Sequence, residues 1–263
     1  MKSEKHILEH FAREEREFVE KVMDMCQQVE DTYSYRLTSF LNPRQDAIAQ
    51  MIANYYHLQA FSTRDLVPTE YSRVILAPSY YVLDKKDFDV MALELVYSRK
   101  FHSLSHSQVL GTFLNKLGIR REYLGDILNR EDELLIFLDK KFGELAIQTI
   151  VKIARVPVKL MERDWQSMSI KMNDEVRFKE VLVSSMRLDK LIAVAFHLSR
   201  TKVDKLITAG HVKLDYVQVE QAGRQVELGQ LISLRKYGRI RVSELLGFSK
   251  QGKVKLKLEM IKT

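Results

Sequence analysis

The strongest constraint on this fold is a pair of short helical patterns joined by only two residues and followed by short alternating runs. Ser185 is expected to cap a helix over residues 186–196, and Ser199 to cap a second helix that ends at Gly210. The runs that follow are punctuated by glycines and have strand period. Because the connection is so short, the two helices must pack together over a small sheet. Residues 181–263 are therefore predicted to form one compact domain.

Positive charge is concentrated in the same part of the chain. The whole sequence carries 42 Lys and Arg against 35 Asp and Glu, a net charge of +7. The balance is −4 over residues 1–70 (8 basic, 12 acidic), +2 over 71–180 (18 and 16) and +9 over 181–263 (16 and 7). A folded segment with this excess is typical of a surface that meets a polyanion, usually nucleic acid and less often an anionic membrane.

Composition excludes several classes of protein. Apolar residues make up 46% of the sequence, enough for a real core, but no run approaches the ~20 apolar residues of a membrane span. The charged N-terminus lacks the apolar region of a secretory signal. The single cysteine, Cys26, excludes an internal disulfide and a multi-thiolate metal site, and its place on a helical apolar stripe predicts a core residue. A cytoplasmic location is expected.

The first part of the chain predicts helices. Residues 1–70 are expected to form a helical N-terminal domain that is mildly acidic. One helix should lie within residues 11–30, where apolar side chains share a stripe. A second should open at Asn42-Pro43, with Asn42 as N-cap and Gln45 capping back.

The middle part, residues 71–165, changes to strand-like patterns. It is expected to form a small α+β sandwich, with helices on one face of a mostly antiparallel sheet. Ser105 and Gln108 have capping-box spacing at the start of one helix. Residues 164–180 read as a polar connection to the C-terminal domain. The expected strands cover residues 73–78, 89–98, 133–139 and 156–162, and the expected helices cover 105–118 and 140–154.

The motifs of common enzymes are absent from the sequence. There is no GxGxxG dinucleotide loop, no GxxxxGKS/T phosphate loop, no HExxH metal pair and no GxSxG nucleophile turn. His102 and His106 are four residues apart, but an expected helix start lies between them, and a catalytic zinc needs three protein ligands. The protein is therefore expected to hold no metal, to need no cofactor and to catalyse no reaction.

Basic residues of the C-terminal domain form the candidate site. Arg200, Lys202 and Lys205 lie on the second helix, whose free N-terminal N–H groups suit a phosphate. The alternative is an ordinary solvated surface, in which Asp189 and Asp204 neutralise their neighbours. The residues expected to bind RNA are Arg187, Lys190, Ser199, Arg200, Lys202, Lys205, Lys213, Arg235, Lys236, Arg239 and Arg241.

A strictly alternating run, KVKLKL at residues 253–258, places three lysines on one face of a predicted strand. Two interpretations stay open. The lysines could keep an edge strand from pairing with other chains, or they could extend the positive surface for phosphates.

The C-terminal domain resembles the alpha-L RNA-binding motif of ribosomal protein S4 and its relatives. The family pattern is Arg-Leu-Asp, an apolar helix, Ser-Arg, a second helix ending Ile-x-x-Gly-x-Val, a Val-x-x-Gly-Asp turn and a closing Gly-x-x-x-Val. Asp215-Tyr216 stand where the family has Asn-Gly, which predicts a different hairpin turn, and Gln230 replaces the aspartate. The matching residues are Arg187, Leu188, Asp189, Ser199, Arg200, Ile207, Gly210, Val212, Val226, Gly229, Gly238 and Val242.

Nearly the whole chain resembles the YlmH family of bacterial proteins. The resemblance is carried by EEREFVEKV near the start, LNPRQ at 41–45, SHSQVLGTFLNKLGIRREYLGDI in the middle and VSSMRLDKLIAVAFHLSR further on. It implies a helical N-terminal domain, a middle domain similar to an RNA-recognition fold and an S4-type module. It also implies a non-enzymatic RNA-binding protein found near cell-division genes. The implied client is a stalled large ribosomal subunit that still holds tRNA, in quality control of truncated synthesis.

The middle domain lacks the aromatic-rich stretch with which RNA-recognition folds stack bases. Tyr97, Arg99, Lys100 and Phe101 are the nearest substitute. The alternative is that both aromatic side chains belong to the core or to a strand edge. Base stacking by this domain is not favoured.

Two other functions stay open. Similar modules accompany pseudouridine synthases and methyltransferases, but Asp189 is followed by Lys190-Leu191-Ile192-Ala193 instead of a synthase pattern, and a glycine-rich cofactor loop is absent. The chain could also be a scaffold in cell division that docks a protein partner through its acidic N-terminal domain and an anionic membrane through its basic one. No basic amphipathic helix with exposed aromatics supports the membrane version.

Overall fold

The chain forms two compact units, residues 1–172 and 173–263. In both units helices pack on antiparallel sheets, so the predicted α+β class is confirmed. The boundaries expected for three domains, at 1–70, 71–165 and 181–263, stay a prediction. The computed structural model describes residues 8–9, 11–129, 133–168 and 177–261.

The N-terminal part of the first unit packs two helices on a small sheet. Asn42 accepts a hydrogen bond from the Gln45 N–H at 2.9 Å, and the Gln45 side chain caps back, as predicted. Cys26 is fully buried between the helices, and burial raises the pKa of its thiol to about 12, which confirms a core residue. The elements are α1 (Arg16–Thr32), α2 (Pro43–Tyr55), β1 (Arg36–Leu37), β2 (Gln59–Ser62) and β3 (Val74–Ala77), with sheet order β1-β3-β2.

The middle part has the βαββαβ order of RNA-recognition and ferredoxin-like folds. Its four strands are antiparallel in the order β5-β6-β4-β9. Ser105 caps the first helix, which ends at Gly118 with a φ of 62°, as predicted. The elements are β4 (Val90–Val96), α3 (His106–Leu117), β5 (Leu124–Asn129), β6 (Leu134–Asp139), α4 (Gly143–Thr149), a hairpin of β7 (Lys152–Ile153) and β8 (Val156–Pro157), and β9 (Lys159–Arg163).

Three expectations for this region were wrong. The strand expected at 73–78 pairs with β1 and β2, and not with the middle sheet. Strand β5 was missed, because its sequence contains a glycine and a buried aspartate and does not show a long β-branched run. The helix expected over 140–154 ends at Thr149, because the β-branched run that follows disfavours helix and Ala154 turns into the β7–β8 hairpin with a φ of 51°.

Residues from the N-terminal part cover the middle sheet on the face opposite its helices. Helices α3 and α4 pack on side chains such as Leu93 and Ile136. On the other face, Ala92 and Phe137 join one buried cluster with Phe40 and Ile75. RNA-recognition folds stack bases on this second face. Here it is covered at Ala92 and Phe137, whereas Val96 of β4 and Met161 of β9, further along the same face, are exposed.

The second unit is a six-stranded antiparallel sheet with two helices on one face. The sheet order is β10-β15-β14-β13-β11-β12. Buried side chains of α5 and α6, such as Leu191 and Val203, pack on Val212 and Ile240 from the sheet. The elements are β10 (Arg177–Val183), α5 (Leu188–Phe196), α6 (Arg200–Thr208), β11 (Val212–Leu214), β12 (Val217–Gln218), β13 (Leu231–Leu234), β14 (Gly238–Phe248) and β15 (Val254–Ile261).

Three further expectations need correction here. Ser185 does not cap the first helix, whose N-cap position is Arg187, with no side-chain cap. Residues 177–180, expected within the polar connection, belong to β10, while 169–176 lie outside the described residues. The KVKLKL run is not an edge strand, because β15 lies between β10 and β14.

Candidate nucleic-acid interface

The second helix of the C-terminal unit presents cations as predicted. Ser199 accepts a hydrogen bond from the Lys202 N–H at 3.3 Å and caps α6. Val203 and Ile207 are buried in the core, so the helix is held by one face. Arg200, Lys202 and Lys205 are all exposed.

The turn between β13 and β14 lies beside this helix. The Nζ atom of Lys202 is 5.4 Å from the centroid of the Tyr237 ring, and Tyr237 makes an edge contact with Phe196 of α5 at 6.2 Å. The turn places Lys236 at a φ of 72°, and Arg235 donates its backbone N–H to the His211 carbonyl oxygen at 3.0 Å. Tyr237 therefore joins the cations of the turn to those of α6.

The helix–turn patch consists of Lys202, Lys205, Arg235, Lys236 and Tyr237. Lys205 is three residues after Lys202 and so lies on the same side of the helix. The side chains of Arg235 and Lys236, in the turn, are both exposed. None of the four cations has an ion-pair partner within the described part of the chain. The patch is therefore a concentration of uncompensated positive charge around an aromatic ring.

Arg187, which is predicted to bind RNA, forms an ion pair within the unit. Its Nε and Nη2 atoms donate to the two carboxylate oxygens of Asp189, at 3.0 and 2.9 Å. The hydrogen bond and charge of Arg187 lower the pKa of Asp189, and Asp189 raises the pKa of Arg187. Arg200 also lowers the pKa of Asp189, and Asp204 also raises the pKa of Arg187, so two arginines and two aspartates form a charge-balanced group.

The outer face of the sheet is also largely neutralised. Lys213, Ser233 and Arg239 occupy directly opposite positions on three neighbouring strands, on the face away from the helices. Arg241 forms an ion pair with Glu259 at 3.3 Å. This face adds less free positive charge than the residue count suggests.

The lysines of β15 belong to this neutralised face. Lys255 pairs with Glu180 at 2.7 Å and Lys257 with Glu244 at 3.7 Å, each on a neighbouring strand. Their positive charges are used within the sheet, which argues against the extended phosphate surface.

The structure thus separates the predicted residues into groups. It places Lys202 beside Tyr237, which directly follows Arg235 and Lys236 in the turn, and it leaves Arg187 and Arg241 in ion pairs. Sequence reasoning missed Tyr237, although it directly follows Arg235-Lys236 and an aromatic beside two cations is typical of nucleic-acid surfaces. Of the remaining predicted residues, Lys190 lies on α5, Ser199 and Arg200 lie at the start of α6, and Lys213 and Arg239 lie on the outer face of the sheet.

The hairpin turn at Asp215-Tyr216 corrects another expectation. Both residues have positive φ, 47° and 70°, and Leu214 pairs with Val217 across them. This is a two-residue type I′ turn, the type that Asn-Gly also forms. The expectation of a different turn was wrong, because the residue types changed while the backbone conformation did not.

Other ligand classes find little support in the described residues. They contain no group of three or more His, Cys, Asp or Glu side chains placed to hold a metal ion. No helix among them is both long and apolar enough to cross a bilayer.

Comparison with known proteins assigns the class. The S4 domain profile matches residues 186–232, which include α5, α6 and the type I′ turn. Residues 84–167, the RNA-recognition-like part, match the family profile described as "Putative RNA-binding domain in YlmH". The fold and the basic surface therefore define a multidomain RNA-binding protein. A third profile, "YlmH, N-terminal", matches residues 14–81. The chain belongs to the YlmH family, as its sequence resemblance predicted.

This chain aligns with nearly the full length of two known relatives. "Ribosome-associated protein quality control protein P2" of Bacillus subtilis (strain 168) is 27% identical over 253 residues, 96% of this chain and 98% of the relative. The solved structure of "Cell division protein ylmH from Streptococcus pneumoniae" is 40% identical, with a TM-score of 0.55. The match covers 62% of this chain and 98% of that one.

Proposed function

We propose that this protein is a non-catalytic RNA-binding factor that grips folded RNA through its C-terminal unit. The observation that carries the proposal is the helix–turn patch, whose four cations lack acidic partners among the described residues, while Arg187, Arg241, Lys255 and Lys257 are ion-paired. Uncompensated cations around an aromatic ring attract phosphates and can stack on a base. Among the eleven candidate residues, the patch supplies most of the affinity.

The client proposed for this surface is ribosomal RNA or tRNA on the large ribosomal subunit. The name of the Bacillus subtilis relative, which covers nearly the whole chain, supports a place in ribosome-associated quality control. The name of the Streptococcus pneumoniae structure supports a connection to cell division. A ribosomal client would put the protein in the cytoplasm. The N-terminal part is free in this scheme to contact a protein partner.

A matched pair of triple variants tests the RNA surface. In the first variant, Lys202, Lys205 and Lys236 are changed to Gln. In the second, Lys253 and the ion-paired Lys255 and Lys257 are changed to Gln, so that both variants lose the same formal charge. Affinity for large-subunit RNA is measured over a series of salt concentrations. The first variant should reduce the slope of log affinity against log salt by roughly two to three, at 0.7–0.9 per lost phosphate contact. The second should keep the wild-type slope.

Equal slopes for both variants would show that binding depends on net charge and not on the patch.

The proposed ribosomal client is tested by measuring the affinity of the protein for large subunits with and without bound tRNA. Ribosomal RNA incubated with the protein should gain no modified nucleoside. A new modification would overturn the non-catalytic assignment.

A further inference from the structure

A cleft lies in the first unit, between α1 and the end of the middle sheet. Its volume is about 300 Å³, within the size range of small-molecule sites. We call it the junction cleft. Its walls come from Phe18, Lys21, Val22 and Met25 of α1, the segment Leu37, Thr38, Ser39 and Leu41, and Arg73, Arg120, Glu122, Tyr123, Asp139 and Lys141.

The floor of the junction cleft is the guanidinium group of Arg73, which is held in place by hydrogen bonds. Arg73 is buried, and it donates from Nε to the Thr38 carbonyl oxygen at 2.8 Å and from Nη1 to the Asp89 carbonyl oxygen at 3.0 Å. Its Nη2 atom lies 3.4 Å from Asp139 Oδ2. These contacts use the guanidinium on all sides. Arg73 therefore holds the two parts of the unit together and gives the cleft a rigid base.

The two walls of the cleft differ in chemistry. One wall is apolar, with half-exposed side chains of Phe18, Met25 and Leu37. The other is the ring of Tyr123, whose centroid is 4.0 Å from Lys141 Nζ and 5.6 Å from Arg120 Cζ. An aromatic ring opposite an apolar wall is suited to a flat, partly apolar group such as a nucleobase.

Cations surround the mouth of the cleft. Lys21, Arg120 and Lys141 have side chains that are 60%, 75% and 54% exposed; Lys21 and Arg120 share Glu122 as their ion-pair partner, and Lys141 pairs with Asp139. With Arg73, four cations face two carboxylates, Glu122 and Asp139. This leaves a positive excess at the opening, where a phosphate could replace water around the exposed cations.

From this geometry we propose that the junction cleft binds a single unpaired nucleotide of RNA, with its base between the apolar wall and Tyr123 and its phosphate at Lys21, Arg120 and Lys141. Two observations favour RNA over other anions. Residues 84–167 match an RNA-binding family profile, and the sheet face on which such folds stack bases is covered at Ala92 and Phe137 by Phe40 and Ile75. The covered positions favour a further RNA contact outside this face. The inference extends the proposed RNA binding to a second site.

Photo-crosslinking of the full-length protein tests the site. The probe is a short single-stranded oligouridylate containing thiouridine, and crosslinked peptides are identified by mass spectrometry. We expect crosslinks in the peptides that contain Phe18 or Tyr123, and they should persist in the Lys202, Lys205 and Lys236 triple variant. The experiment thus distinguishes RNA binding at the junction cleft from RNA binding at the helix–turn patch. Crosslinks confined to residues 173–263 would overturn the inference.

Point variants and competitors sharpen the test. Changing Arg120 and Lys141 together to Gln should reduce the crosslink about tenfold, the equivalent of one charge-assisted hydrogen bond. Lys116→Gln, on an exposed helix position outside the cleft, is the matched control. Adenosine monophosphate should compete with the oligouridylate more effectively than inorganic phosphate at the same concentration. Equal competition would identify a simple anion site and overturn base recognition.

Discussion

The side-chain amide of Gln230 donates a hydrogen bond to Oδ2 of Asp215 at 2.8 Å. Oδ1 of the same carboxylate accepts the Leu231 N–H at 2.8 Å, and Oε1 of Gln230 accepts the Glu227 N–H, also at 2.8 Å. These are the positions at which the sequence departs from the S4 pattern. The departures compensate each other, because the longer glutamine caps its own turn and ties it to the hairpin.

Removal of this carboxylate should destabilise the C-terminal unit. In Asp215→Ala, Gln230 loses a partner and the Leu231 N–H loses its acceptor, at a cost of about 1–3 kcal/mol. Urea unfolding followed by far-ultraviolet circular dichroism measures the change. Glu220→Ala, at an exposed position of the same unit, should change stability by less than about 0.5 kcal/mol. Gln230→Ala and the double variant complete a cycle, in which fully additive losses would contradict the coupling.

Helix caps could be predicted from the sequence because a cap depends only on residues that are close together in the chain. The caps at Asn42, Ser105 and Ser199 each need only a side chain and an N–H three residues later, and all three formed as predicted. The cap expected at Ser185 failed because Arg187 starts the helix instead and bonds to Asp189. A serine near a helix start is therefore not sufficient for a cap.

Pairing across space could not be read from one sequence. The strand Val74–Ala77 has the same buried pattern whichever sheet it joins. Likewise, the charge excess of the last 83 residues located the basic unit, but strand register decides that Arg241 meets Glu259, while Lys202 and Lys205 of α6 have no ion-pair partner in the described part of the chain. The sequence thus predicted the basic unit, and the structure shows which of its cations are ion-paired.

Gly125 is expected to be irreplaceable, because the ring of Phe40 packs against it. A Cβ atom at this position would lie 2.7 Å from Phe40 Cε1 and 3.0 Å from Phe137 Cβ. Gly125→Ala should therefore cost about 1–3 kcal/mol through overpacking. Trp165, the one tryptophan of the chain, is buried in the same cluster, so its fluorescence reports unfolding of this unit.

Two further variants are controls for this prediction: an alanine substitution at another glycine, and a substitution of Phe40 combined with Gly125→Ala. Gly111 lies within α3, and a Cβ atom there would meet nothing within 4 Å. Gly111→Ala should stabilise the protein by roughly 0.5–1 kcal/mol. Phe40→Leu should recover part of the stability lost in Gly125→Ala, since it removes the ring from the contact. If Gly125→Ala unfolds like the wild type, Phe40 does not press on the sheet.

Asp126 should make the first unit less stable as pH rises from about 4 to 6. Burial raises the pKa of this carboxyl from 3.8 to about 6, although it accepts the Glu70 N–H at 2.5 Å and the Tyr71 N–H at 3.2 Å. The folded state then binds a proton that the unfolded state has released, so folding is favoured at the acidic end of this range. The two pKa values correspond to a loss of roughly 3 kcal/mol at most, complete above about pH 6.

Asp126→Asn isolates this contribution, because the amide cannot titrate and every other carboxylate is unchanged. The free energy of unfolding is measured for both proteins by urea titration with Trp165 fluorescence at several pH values. The wild-type value minus the variant value should fall by about 1–3 kcal/mol between pH 4 and pH 7. The exposed Glu144→Gln should instead follow the wild type in parallel. A difference that stays flat or rises with pH would show that Asp126 is already ionised when the protein folds.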